Sequence, residues 1–252
     1  MSSELKVILH LNQRRVKLVC GKLFVRIKSA MSIKENLNSK YSRSYRLGQR
    51  QAAVDEKRAK IIEAARELIL SERALAGFSV DAVAKQSGVA RMTVYNQFGG
   101  KIGLLEALFD DLAVRGRIHQ VADALQKDEP LDALNNFITA FGHFWAADRM
   151  LIKRLHAMTT LDTEMAKAHA TRQKGRREGL RVIVERLHEK YKLADDFQLN
   201  EVIEILHTLT GFETFDALAG TTRSPEDVVP TVRKLILEVL GLDDIEGKEN
   251  VT

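Results

Sequence analysis

From about Ala53 to Leu240 the apolar residues recur at helical spacing, with no paired runs of strand-like alternation, and this periodicity restricts the fold to packed helices. Ile61, Ala65, Leu68 and Ile69 mark one stripe, widened by Ile62. Leu104, Leu105, Leu108 and Leu112 mark a second, on a helix starting near Lys101. Leu134, Ile138, Phe141 and Trp145 give a third, and Leu151, Leu155 and Met158 a shorter one. Leu180, Ile183, Val184, Leu187 and Tyr191 line the end of a long helix that starts near Thr163. A helix over about Leu199–Gly220 is apolar nearly all round, with Ile203, Ile205, Phe212 and Phe215 beside Val202, Leu206 and Leu209. In the last helix, Pro225–Leu240, Ser224 and Asp227 form a capping box, Pro225 takes the first helical position and Gly241 fits the stop. Only 3 prolines occur, so long helices go uninterrupted. The expected fold class is all-α.

Charge divides the chain differently. The formal net charge of +5 conceals a net of +10 on residues 1–50, where Glu4 and Glu35 are the only acids, and −5 on the rest. Residues 1–52 are therefore expected to be a disordered basic tail, with residues 246–252 as a second. Residues 1–30 are also compatible with a start assigned upstream of a true one at Met31. Within the tail, Arg43, Arg46 and Arg50 either offer a basic contact for phosphates or hang free. The single Cys20 cannot form an internal disulfide, and no apolar run approaches the roughly 18 residues of a membrane span, so a cytoplasmic protein without membrane contact is expected.

The stretch Gly77 to Phe98 carries the strongest local signal. Ser79 can cap a short helix whose inner face is Val80, Val83 and Ala84, and Gly88 can end it in a left-handed conformation. A second short helix starts near Arg91, anchored from beneath by Val94 and Phe98. Two helices joined by a tight glycine turn make a helix-turn-helix, whose second member lies in the DNA major groove. Arg91, Met92, Thr93, Tyr95, Asn96 and Gln97 then fall on or near the exposed side. Hydroxyls and cations suit phosphates, and Arg, Asn and Gln suit base edges.

From Ile61 to Leu112 the chain resembles the DNA-binding domain of the tetracycline-repressor (TetR) family. The resemblance rests on Gly-Phe-Ser-Val-x-x-Val-Ala-x-x-Ser-Gly-Val-Ala-x-x-Thr-Val-Tyr-x-x-Phe-x-x-Lys-x-x-Leu-Leu, and above all on the spacing of Thr93, Tyr95, Phe98 and Lys101. It implies an N-terminal three-helix helix-turn-helix domain (53–100) followed by a C-terminal helical domain (101–245) that binds an effector and dimerises. It further implies that Thr93, Tyr95 and Lys101 contact phosphates, that Arg91, Met92, Asn96 and Gln97 face bases or nearby backbone, and that Ser79 presents a helix N-terminus to a phosphate. Gly99-Gly100 and Gly103 depart from the family pattern, and Gly103 within a helix costs about 1 kcal/mol. The implied activity is transcription regulation, as a repressor released from a palindromic operator in double-stranded DNA by a small molecule of unknown identity. A ligand-independent architectural or nucleoid-associated DNA-binding protein is the alternative.

For the C-terminal region the expectations are looser. Phe137, Phe141, Phe144 and Trp145, with His143 on the same helix and His156 on the next, could line an effector pocket, or simply form core. The resemblance implies a homodimer through the last two helices, with Leu209, Phe212, Val232 and Leu235 as interface residues. The basic run Lys167 to Arg181 reads as a solvated face, or as a patch that steers an anionic effector. No nucleophile–base pair, phosphate loop or metal-ligand cluster stands out, so no enzyme activity, cofactor or metal is expected.

Overall fold

The computed structural model describes residues 42–71, 78–193 and 198–243, with side chains from Gln51 onward. The tail segment 1–41, the side chains of Arg43, Arg46 and Arg50, and residues 246–252 lie outside that description. No strand occurs among the described residues, in keeping with the all-α expectation. The described residues fall into two compact units, one from those between 42 and 114 plus Asp148–Thr171, the other from Arg115–Ala147 plus those from 172 to 243.

The N-terminal unit starts with helix α1, Ser42–Leu70. Residues 42–52 were expected in the tail and instead open this helix. That stretch holds no proline, and although Gly48 disfavours a helix, extending an existing one costs far less than nucleating a new one. Helices α2 (Val80–Ser87), α3 (Arg91–Phe98), α4 (Lys101–Arg115) and α7 (Arg149–Thr159) pack with it. Ile61, Ala65, Ile69, Val83, Val94, Leu104, Leu105, Leu108 and Leu151 are fully buried, so the predicted stripes are the core. The Arg154 guanidinium donates to the Ile69 carbonyl at 3.1 Å and to that of Ser71, satisfying the open end of α1.

The C-terminal unit holds α5 (His119–Leu125), α6 (Pro130–Ala147), most of α8 (Thr163–Tyr191), α9 (Leu199–Leu209), α10 (Phe212–Ala219), a 3₁₀ turn over Pro225–Val228 and α11 (Val229–Leu240). Two helices expected to be continuous are broken. The Leu199–Gly220 helix stops at Thr210, because Gly211 takes an extended conformation (φ −73°, ψ 157°) and caps α10. The Pro225–Leu240 helix opens as a 3₁₀ turn and becomes α-helical only at Val229, since Pro230 has no N–H and belongs in a first turn. Its capping box is present, with the Ser224 amide donating to Asp227 at 2.8 Å and the Ser224 hydroxyl accepting from Glu226 at 3.4 Å.

Gly142 lets α6 meet the following elements closely, because a Cβ there would lie 2.4 Å from Val229 Cγ2. Phe137, Ile138, Leu180, Ile183, Leu206, Phe215, Val232 and Ile236 make up a fully or almost fully buried core.

Candidate nucleic-acid interface and the aromatic cluster

Local chemistry builds the N-terminal site. The Ser79 hydroxyl accepts from the Ala82 amide at 3.2 Å, capping α2 as expected. Gly88 sits at φ 67°, and the Val89 amide reaches back to the Ala84 carbonyl at 3.1 Å, so the turn satisfies the end of α2 while redirecting the chain. Helix α3 buries Val94 and Phe98 and leaves Arg91, Met92 and Asn96 exposed, with Thr93, Tyr95 and Gln97 half-buried. Met92 is 63% exposed, a large apolar side chain held in water.

Several of these side chains have partners that the sequence did not announce. Arg91 pairs through Nε with Asp81 at 3.0 Å and donates through Nη2 to the Tyr95 hydroxyl at 3.2 Å. Arg58, from α1, donates to the Gln97 carbonyl at 3.1 Å and lies over the Phe98 ring at 4.4 Å. It thereby ties the C-terminal end of α3 to α1. Lys101, at the start of α4, is paired with Asp162 and lies 3.8 Å from Glu164. Burial alone would raise the Asp162 carboxyl, but hydrogen bonds from Lys101 and from the Met165 and Glu164 amides bring it below its ordinary value.

Gly103 has a reason. A Cβ at that position would lie 1.8 Å from the Phe98 carbonyl oxygen, so only glycine lets α4 pass the end of α3 this closely. Gly99 (φ 74°) and Gly100 (φ 135°) make the turn between these helices.

In the C-terminal unit the aromatic residues pack ring upon ring. Centroid separations are 4.8 Å for Phe137–Phe141, 5.6 Å for Phe141–Trp145 and 4.7 Å for Phe144–Trp145. Phe137, Phe141 and Trp145 are buried and Phe144 is half-buried. His143 Nδ1 meets Gln120 Oε1 at 3.1 Å. His156 belongs to the N-terminal unit, where its ring lies 4.5 Å from that of His169.

A buried polar cluster beside these rings escaped the sequence reading. Arg176 is only 8% exposed, although it sits in the basic run read as solvated. Its guanidinium donates to Gln173 Oε1 at 2.7 Å, to His207 Nε2 at 2.9 Å and to the Thr210 hydroxyl at 3.2 Å. It also lies 5.7 Å from the Phe141 centroid and 5.9 Å from that of Trp145. Burial pulls the guanidinium down to about 9, while burial and the neighbouring Arg176 and Arg177 charges pull His207 down to about 4. The break between α9 and α10 frees the Thr210 carbonyl, which accepts from the Trp145 indole at 3.1 Å.

Two proposed interface residues, Phe212 and Val232, are buried within the chain itself, at 3% and 0% exposure. Phe212 packs on Trp145, with centroids 5.7 Å apart. On α9 and α11, Ile205 and Val239 are exposed and Leu209 and Leu235 half-buried. Ile205 and Leu209 line a shallow groove with Glu201, Glu204 and Thr208.

A capped helix, a left-handed glycine turn and a second helix with a polar outer face define a helix-turn-helix domain of the DNA-binding class. Residues 61–108 match the family described as bacterial regulatory proteins, tetR family, so the chain carries the DNA-binding domain of that family. No curated protein matches the chain. Similar solved structures include the fatty acid degradation regulator FadR of Bacillus halodurans, at 21% identity over 72% of this chain and 94% of that one, with a TM-score of 0.56. FadR of Bacillus subtilis, solved in complex with stearoyl-CoA, is similar at 20% identity over 73% and 98%, with a TM-score of 0.59. NalD, the secondary repressor of the MexAB-OprM multidrug efflux pump in Pseudomonas aeruginosa, gives 19% over 74% and 96%, with a TM-score of 0.59. At these identities the likeness establishes the fold. No described helix is long and apolar enough to cross a membrane.

Proposed function

We propose that the chain is a sequence-specific DNA-binding transcription regulator, acting as a homodimeric repressor that a small-molecule effector releases from a palindromic operator. The observation that carries this reading is helix α3, which anchors Val94 and Phe98 inward and turns Arg91, Met92 and Asn96 outward within a tetR-type domain. Arg91 and Asn96 are the residues for base edges, and Met92 suits a thymine methyl. Thr93, Tyr95, Gln97 and Lys101 hold backbone, with Ser79 at the amide end of α2. The effector reading places a ligand in the C-terminal unit against Phe141, Phe144 and Trp145. It draws support from a structural neighbour solved with a bound acyl-CoA.

The test is selection of bound fragments from a genomic library, followed by footprinting and single-base substitution of the protected site. A palindrome with half-sites about 34–36 Å apart is expected. Arg91→Ala should relax the preference at one symmetric pair of positions by about 1–3 kcal/mol and leave non-specific binding less affected. Uniform protection without sequence preference would favour an architectural protein instead.

A further inference from the structure

We propose that Asp162 is an affinity-setting residue for the DNA interface, an internal competitor that occupies the Lys101 ammonium until a phosphate displaces it. This rests on the reading of Lys101 as a phosphate contact.

The geometry gives the pair more permanence than an ordinary surface contact. Asp162 precedes α8 and caps it, its Oδ1 accepting from the Glu164 amide at 3.0 Å and the Met165 amide at 3.1 Å. That carboxylate is therefore held in place, and its other oxygen, Oδ2, takes the Lys101 ammonium. Both side chains are only about a quarter exposed or less, at 25% and 21%, which weakens the screening that makes exposed pairs nearly worthless. Glu164, at 3.8 Å, adds a second carboxylate to the same ammonium.

The charge count follows directly. One ammonium facing two carboxylates gives this corner a net charge of −1, where a phosphate contact calls for a positive one. An approaching phosphate must draw Lys101 away from Asp162 or settle beside two anions. Either route lowers affinity for every DNA sequence alike, because phosphates carry no sequence information. The competition thus sets the general strength of DNA binding and leaves discrimination to α3.

The test is a double-mutant cycle on the full chain, measuring DNA affinity at two or more salt concentrations. Asp162→Asn keeps a capping acceptor and removes the charge, and Asp162→Ser is a second capping substitute should the first fold poorly. Asp162→Asn should tighten binding about 2- to 5-fold, the range reached when a modest ion-pair competition is lifted. The gain should appear on specific and non-specific DNA alike, and should largely disappear in a Lys101→Met background. Unchanged or weaker binding by both Asp162 variants, with Lys101→Met still weakening it, overturns the competition. An equal gain with and without Lys101 also overturns it, as a general field effect. If Lys101→Met leaves affinity and salt dependence untouched, the phosphate reading itself fails.

Discussion

Arg176 is a cation in a place that water hardly reaches. Its hydrogen-bond partners, Gln173, His207 and Thr210, are neutral, and it keeps its charge at neutral pH even though burial lowers it to about 9. His207 Nε2 lies between the Arg176 guanidinium at 2.9 Å and Gln173 Oε1 at 3.0 Å, and burial together with the Arg176 and Arg177 charges keeps the ring neutral, lowered to about 4. The sign of the resulting pH dependence is fixed. The unfolded chain takes up this proton near 6.5 and the folded chain only near 4, so the cluster's contribution is whole above about 6.5 and is lost as the pH falls toward 4. Thermal unfolding between pH 4 and pH 7 should show a steeper acid loss for the wild type than for His207→Gln. Equal slopes would remove His207 from the acid response. The cluster is hidden in the sequence because the density of charge from Lys167 to Arg181 masks the register of Arg176. Arg176 shares its spacing with Leu180, Ile183 and Leu187, the stripe that faces the core. The ends of helices were easier, since Ser79, Gly88, Ser224 and Gly241 act on their own neighbours.

At the scale of elements, the junction of α3 and α4 depends on one missing methyl group. The sequence shows Gly103 as a weak point in a helix, whereas the structure makes it a requirement of close approach to the Phe98 carbonyl. Gly103→Ala gains helix propensity and loses more, because backbone cannot step aside as a flexible side chain can. Overpacking of this kind costs about 1–3 kcal/mol, and thermal unfolding of the variant should register the loss. A variant as stable as the wild type would mean that α4 can shift without penalty. The broken helices carry a similar lesson. Pro230 was visible in the sequence, but the strong start at Ser224–Pro225 and the stripe through Val228, Val232, Leu235 and Val239 ran across it. The stop at Thr210 has only Gly211 as its local mark, and the groups that take up the Thr210 carbonyl and hydroxyl, the Trp145 indole and the Arg176 guanidinium, lie far along the chain where no local reading contains them.

For the whole molecule, burial redraws the proposed dimer surface. Phe212 and Val232 serve the chain's own core, and Ile205, Leu209, Leu235 and Val239 are among the apolar residues of α9 and α11 that remain at least part-exposed for a second copy. A two-fold interface would present them from both subunits. Ile205→Glu combined with Leu209→Glu should therefore give folded monomers in sedimentation, with weakened operator binding. Phe212→Glu should unfold the chain, and the two outcomes separate interface from core. A double variant that still sediments as a dimer would place the contact elsewhere.

The chain has one tryptophan, and its surroundings give it a further use. Trp145 is 5% exposed, wrapped by Phe141, Phe144 and Phe212, with its indole proton engaged by a backbone carbonyl. Such an indole emits at short wavelength, is shielded from aqueous quenchers, and shifts to the red once its shell opens. Because it belongs to the C-terminal unit, its emission is a private optical channel for that unit, while circular dichroism sums the helices of both. Followed together through denaturant, the two signals show whether the reading head and the rest of the chain melt as one body or in succession.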